Sequence, residues 1–187
     1  MPLSITIDLS DTDLEYFQDA LRRAQSSAGV KSAQEITDAA GKVLITSQDA
    51  QVPAFIAERL SKLESLINMV HDEGWALGED DKRRVLTALA YFAEPNDVIP
   101  DDVPVVGYLD DAIMIELCVR ELKHEVEAYD DFCSFRKNEA EGRGLDSATV
   151  GRAEWLEGRR QELQDRMRRR RSSYSGGGMG SSMFRIG

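Results

Sequence analysis

A chain of 187 residues, 42% hydrophobic and 30% charged, suits one soluble helical domain with extensions and needs no disulfide or metal to build its core. Its formal charge of −11 is uneven: from Gly151 onward nine arginines face four acids, a segment of +5, which leaves −16 on the first 150 residues. The acidic body disfavours nucleic acid and anionic lipid, whereas the basic end attracts anions.

The N-terminal MPLSITIDLSDTDLEYF lacks the basic and apolar regions of a signal peptide. No window holds about 18 uninterrupted apolar residues. The nearest, Val98 to Val119, contains four aspartates and a glutamate. Cys118 and Cys133 fall within a helical pattern and read as buried thiols in a reducing compartment. Together these features predict a cytoplasmic chain, with peripheral membrane contact through the basic end as its one route to a bilayer.

The elements follow in order. Leu3, Ile5 and Ile7 alternate weakly, as in a short strand or an extended arm. Ser10 with Asp13 forms a capping box for a first helix carrying Leu14, Phe17, Leu21, Ala24 and Ala28, which Gly29 ends. Ser32 with Glu35 opens a second, whose face is Ile36, Ala40, Val43 and Leu44. Pro53 enters the first turn of a third, with Ile56, Leu60, Leu63, Ile67 and Val70 at core spacing. Glu79, Asp80 and Asp81 suit the positive end of a fourth helix, which carries Val85, Leu86, Leu89 and Phe92 and stops before Pro95.

A long fifth helix is predicted from about Tyr108 into the 130s. Ile115, Val119, Leu122, Val126, Tyr129 and Cys133 form its stripe, which fits packing within the chain or against a second copy. A charged sixth helix runs from about Ser147 to Arg171, with Val150, Leu156, Leu163 and Met167 as a thin apolar face. The expected organisation is an acidic helical domain over 1–145, a basic-ended helix over 146–171 and a flexible Gly/Ser tail over 172–187. The fold class is all-α with five to six helices, centred on a hairpin of the fourth and fifth.

That hairpin is joined by NDVIPDDVPVVGYLDD, residues 96 to 111. Pro100 and Pro104 fix their own φ and push Ile99 and Val103 out of the helical region, so the link is stiff. Aspartates in such a turn accept hydrogen bonds from nearby backbone N–H groups, and Asp110 and Asp111 fall where a helix N-terminus favours negative charge. The competing reading is a divalent cation held by Asp97, Asp101, Asp110 and Asp111, although the spacing matches no EF-hand loop. A third reading is a surface for a protein partner.

The segment TALAYFAEPNDVIPDDVPVVGYLDDAIMI resembles the signature of the YkvA family (domain of unknown function 1232). Tyr91, Phe92, Pro95, Asp97, Ile99, Pro100, Asp101, Pro104, Gly107, Asp110 and Asp111 stand in register with it. The resemblance covers about Val85 to Lys123 and departs from the pattern at Asp102. It implies a helix–turn–helix unit with no established activity and raises the weight of the four motif aspartates. Membrane association, also implied by the family, fits poorly with that charged turn.

Glu121 and His124 have the Glu-x-x-His spacing of di-iron bundles, but the second copy is missing, because Asn68 precedes His71. No resident cofactor is expected beyond the candidate cation. Arg166, Arg168, Arg169, Arg170 and Arg171 are the candidate contacts to an anionic partner: an acidic protein face or a membrane surface, with nucleic acid disfavoured by the lack of stacking aromatics. They could equally dock on the chain's own acidic body, or on another copy's. The leading function is therefore a non-enzymatic interaction or regulatory module. The alternative is a metal-dependent enzyme using the aspartates of 97–111.

Overall fold

The computed structural model describes residues 8–48, 52–94, 99 and 107–174. These residues form seven α-helices and two short 3-10 turns, with no strand among them. The helices are α1 (Asp11–Ser27), α2 (Ala33–Gln48), α3 (Ala54–His71), α4 (Glu79–Leu89), α5 (Leu109–Glu121), α6 (Lys123–Gly142) and α7 (Glu154–Tyr174). The all-α class stands, with one helix more than the five to six expected.

The extra helix comes from the stripe that predicted one long element from Tyr108 into the 130s. That element is two helices, broken at Leu122, whose backbone (φ −98°, ψ 21°) leaves the helical basin. Arg84 caps the break. Its Nη2 donates to the carbonyl oxygen of Glu121 at 3.0 Å, placing a side chain in the ladder at the junction. Leu122 is wholly buried, and Ile115 before it and Val126 after it are buried too, so the apolar stripe runs through the break.

Local chemistry accounts for the other boundaries. Ser10 accepts from the Asp13 N–H while the Asp13 carboxylate accepts from the Ser10 N–H at 3.0 Å, so the first capping box is complete. Ser32 and Glu35 repeat it on α2. The first helix ends at Ser27, and Gly29 lies inside the 3-10 turn Ala28–Val30 that follows. Helix α7 starts at Glu154, later than Ser147, and includes Ser172 to Tyr174, at the start of the predicted tail. Residues 1–7, the prolines of the Asp/Pro turn and residues 175–187 lie outside the described residues, as therefore do the predicted N-terminal arm, the path of the hairpin link and the rest of the tail.

The core is one cluster reaching from Phe17 and Leu21 on α1 to Leu156, Leu163 and Met167 on α7. Helix α3 packs on α5, α2 on α3, and α6 runs along α7. The stripe residues Ile115, Leu122, Val126 and Tyr129 are buried within the chain. Trp75, in the turn between α3 and α4, is fully buried, with ring centroids 5.1 Å from Phe132 and 5.9 Å from Tyr129. Among the described residues no helix is long and apolar enough to cross a membrane.

Candidate functional site

Two clusters of buried charge lie at the seams between α7 and the rest of the fold. The first centres on Asp72, just after α3. Its Oδ1 accepts from the N–H groups of Gly74 (2.8 Å) and Trp75 (3.1 Å) and from Arg136 Nη1 (2.9 Å). Its Oδ2 accepts from the Tyr129 hydroxyl at 2.9 Å and lies 2.8 Å from Arg136 Nη2. Burial pushes this carboxyl up, but the bonds from Arg136, the Trp75 amide and Tyr129 outweigh it and hold the group below its ordinary value. Helix α7 closes over the same turn: Arg160 donates to the Gly74 carbonyl (3.1 Å) and Gln164 to that of Trp75 (2.7 Å).

The second cluster joins α4, α6 and the last turns of α7. Asp81 is 3% exposed and Glu125 1%. Arg171 Nη1 donates to Asp81 Oδ1 at 2.8 Å and to Glu125 Oε1 at 2.9 Å. Arg168 Nε reaches Asp81 Oδ2 at 3.0 Å, and Arg84 Nε reaches Glu125 Oε1 at 2.9 Å. Glu125 Oε2 is buried and accepts no hydrogen bond among the described residues. Arg171 itself feels two opposed effects: desolvation, which disfavours its charge, and the carboxylates of Asp81 and Glu125, which prevail and raise its pKa. Beside it lies an open groove of about 440 Å³ lined by Asp80, Arg83, Arg84, Thr87, Glu121 and Arg171.

The arginines singled out in the sequence largely sit on the chain's own acids. Arg166 pairs with Asp131, Arg168 with Asp81 and Asp165, Arg170 with Glu127, and Arg171 with Asp81 and Glu125. Arg169 is exposed and makes no ion pair with the described residues. Exposure is not lost on docking, since the side chains of Arg168 and Arg170 stay 42% and 52% exposed.

Of the motif aspartates, Asp97 and Asp101 lie outside the described residues, with Pro95, Pro100 and Pro104. Asp110 and Asp111 are buried in the first turn of α5, and Asp110 Oδ2 accepts from the Ile99 N–H at 2.9 Å. Tyr91 and Phe92 are buried in a 3-10 turn, edge to face at 5.5 Å, and Gly107 is buried beside Tyr108. Among the described residues no three His, Cys, Asp or Glu side chains gather as a metal shell. Glu121 accepts from Gln25, and His124 lies 3.9 Å from Glu127. Both cysteines are free; burial pushes both thiols up, which disfavours the thiolate a nucleophile needs.

Sequence reasoning missed the partners: Asp72, Arg84, Glu125, Arg136, Arg160 and Gln164. The sequence marks Asp81 only as a first-turn acid. The one available signal was two charged residues, Arg160 and Arg171, placed three or four residues from apolar members of a thin helical face.

Residues 81–117 match the model of a family described as "Protein of unknown function (DUF1232)". The match starts at Asp81, takes in Arg84 and Thr87, and includes the motif aspartates. No curated protein and no solved structure matches the chain.

Proposed function

We propose that the protein is a non-enzymatic helical interaction module whose contact face is the end of α7 together with the starts of α4 and α6. One observation carries this reading: the α7 arginines are anchored on buried acids of α4 and α6 yet keep their outer sides in solvent. A guanidinium has five donors, so one held by one or two bonds can still engage an anionic partner. Arg83, Arg84, Lys123 and Arg168 to Arg171 face Asp80, Asp81, Glu121, Glu125, Glu127 and Asp165: seven cations against six acids. This end is therefore +1, against −12 for the rest of a chain of −11. Two of those acids are buried behind the arginines, so the surface presented is more basic than the count.

Deleting α7 would be a poor test, because Leu156, Leu163 and Met167 belong to the core. The clean test compares the full chain with an Arg169→Gln, Arg170→Gln variant for binding to polyglutamate and to vesicles containing phosphatidylglycerol. Binding that falls with salt and weakens several-fold in the variant is expected, at about 1 kcal/mol per arginine near an anionic surface. Equal binding by both proteins at every salt concentration would overturn the reading.

A further inference from the structure

The groove beside Arg171 has a composition that narrows the proposed reading to one chemistry. Arg84 spends Nε on Glu125 and Nη2 on the Glu121 carbonyl, leaving Nη1. Arg171 spends only Nη1, leaving Nε and Nη2. Arg83 meets Asp80 at 3.5 Å with both side chains largely exposed, which commits little of its guanidinium. Three guanidinium groups with spare donors therefore line one open groove of about 440 Å³.

Two of the three are positioned from behind by the same carboxylate. Burying Glu125 is costly, and a buried ion pair adds little net stability over an apolar packing. What such a pair does supply is orientation, since it fixes Arg84 and Arg171 before any ligand arrives. Two acids share the lining with them. Asp80 is 93% exposed and Glu121 accepts from Gln25, so neither is committed to the three guanidinium groups beyond the long Arg83–Asp80 contact.

We infer that this groove binds a single phosphate group, the tetrahedral anion whose oxygens accept paired guanidinium bonds. The group would be carried either by a soluble phosphate or by a phosphomonoester lipid headgroup. The inference rests on the proposed function in placing an anionic ligand at this end of the molecule, and it adds the residues and the ligand class.

The test is calorimetric titration of the full chain with inorganic phosphate, beside co-sedimentation with vesicles containing phosphatidic acid or phosphatidylcholine alone. One site per chain is expected, with Arg83→Gln and Arg84→Gln each weakening it roughly tenfold and Arg23→Gln, exposed on α1, leaving it unchanged. Arg83 contacts neither buried acid, so its variant reports on the groove even if Arg84→Gln loosens the fold. Saturable binding of free phosphate identifies a soluble ligand; binding confined to phosphatidic acid vesicles and lost in Arg83→Gln identifies a headgroup. No binding of either, or binding that Arg83→Gln leaves intact, overturns the site. Phosphate binding that survives while Arg169→Gln, Arg170→Gln leaves polyglutamate and vesicle binding unaltered would sink the broader module reading and spare this one.

Discussion

The two buried charge clusters are built from the same residue types and differ in completeness. Around Asp72 both oxygens are taken up, by two backbone amides, a tyrosine hydroxyl and one arginine, and Arg136 lies over the Phe132 ring at 5.2 Å. Around Asp81 and Glu125 one carboxylate oxygen accepts nothing from the described residues, and three arginines each bind with part of their donor set. A closed cluster fixes a turn. An open one, at the edge of a groove, keeps capacity for something else.

The sharpest way to break the contrast is at the closed cluster. Asp72→Ala strands a largely buried Arg136 and unties the Gly74–Trp75 turn, and should cost about 3–5 kcal/mol in urea unfolding. The pH dependence has a fixed sign. A carboxyl held below its ordinary value of 3.8 contributes stability that is fully present above that pH and lost as pH falls through the folded value. Melting curves of the wild type should thus steepen their decline below pH 3.8, and Asp72→Asn should flatten that limb.

Gly74→Ala comes next. A Cβ there would lie 3.0 Å from both the Gly151 carbonyl and Arg136 Nη1, and the backbone contact has little room to yield. A loss of about 1–3 kcal/mol is expected, read as a midpoint lower by about 2–4 °C per kcal/mol.

Glu125→Gln addresses the open cluster. It should cost about 1–2 kcal/mol, less than Asp72→Ala, because the arginines it frees already reach solvent. Its signature is in salt: hydrogen exchange at the last turn of α7 should quicken in the wild type between 0.1 and 1 M NaCl, where screening shortens from about 10 to 3 Å. Little change is expected at Gly74 and Trp75. Similar salt sensitivity in the two places would erase the distinction drawn between them. The smallest effect belongs to Ala76, whose φ of 46° is left-handed. Ala76→Gly should be worth a few tenths of a kcal/mol in either thermal or urea melts, favouring the variant, because relief of strain slightly exceeds the entropy glycine adds to the unfolded chain.

Local features of this fold were legible because their partners are close in sequence. Ser10 with Asp13 and Ser32 with Glu35 are three residues apart, and both capping boxes form as read. The apolar spacing of Ile56, Leu60 and Leu63, or of Val85 and Leu89, points at the core in any helix of that register. The charge clusters were not legible, because the side-chain pairs that join their helices lie 41 to 90 positions apart. Nothing near Asp81 distinguishes an acid serving the helix dipole from one turned inward to meet Arg168 and Arg171. The break at Leu122 was hidden for a related reason: the side chain that bonds the Glu121 carbonyl there, Arg84, belongs to another helix, and the apolar stripe runs on past the break.

Trp75 and Trp155 occupy opposite environments. The first is sealed, with its indole nitrogen unbonded, between the α3–α4 turn, α6 and α7; the second is half-buried, with Arg143 over its ring at 4.8 Å. The emission of the chain is therefore expected to combine a bluer component from Trp75, beneath α7, with a redder one from Trp155 in the first turn of α7. The protein carries its own optical gauge of whether its basic helix is home, with no label attached.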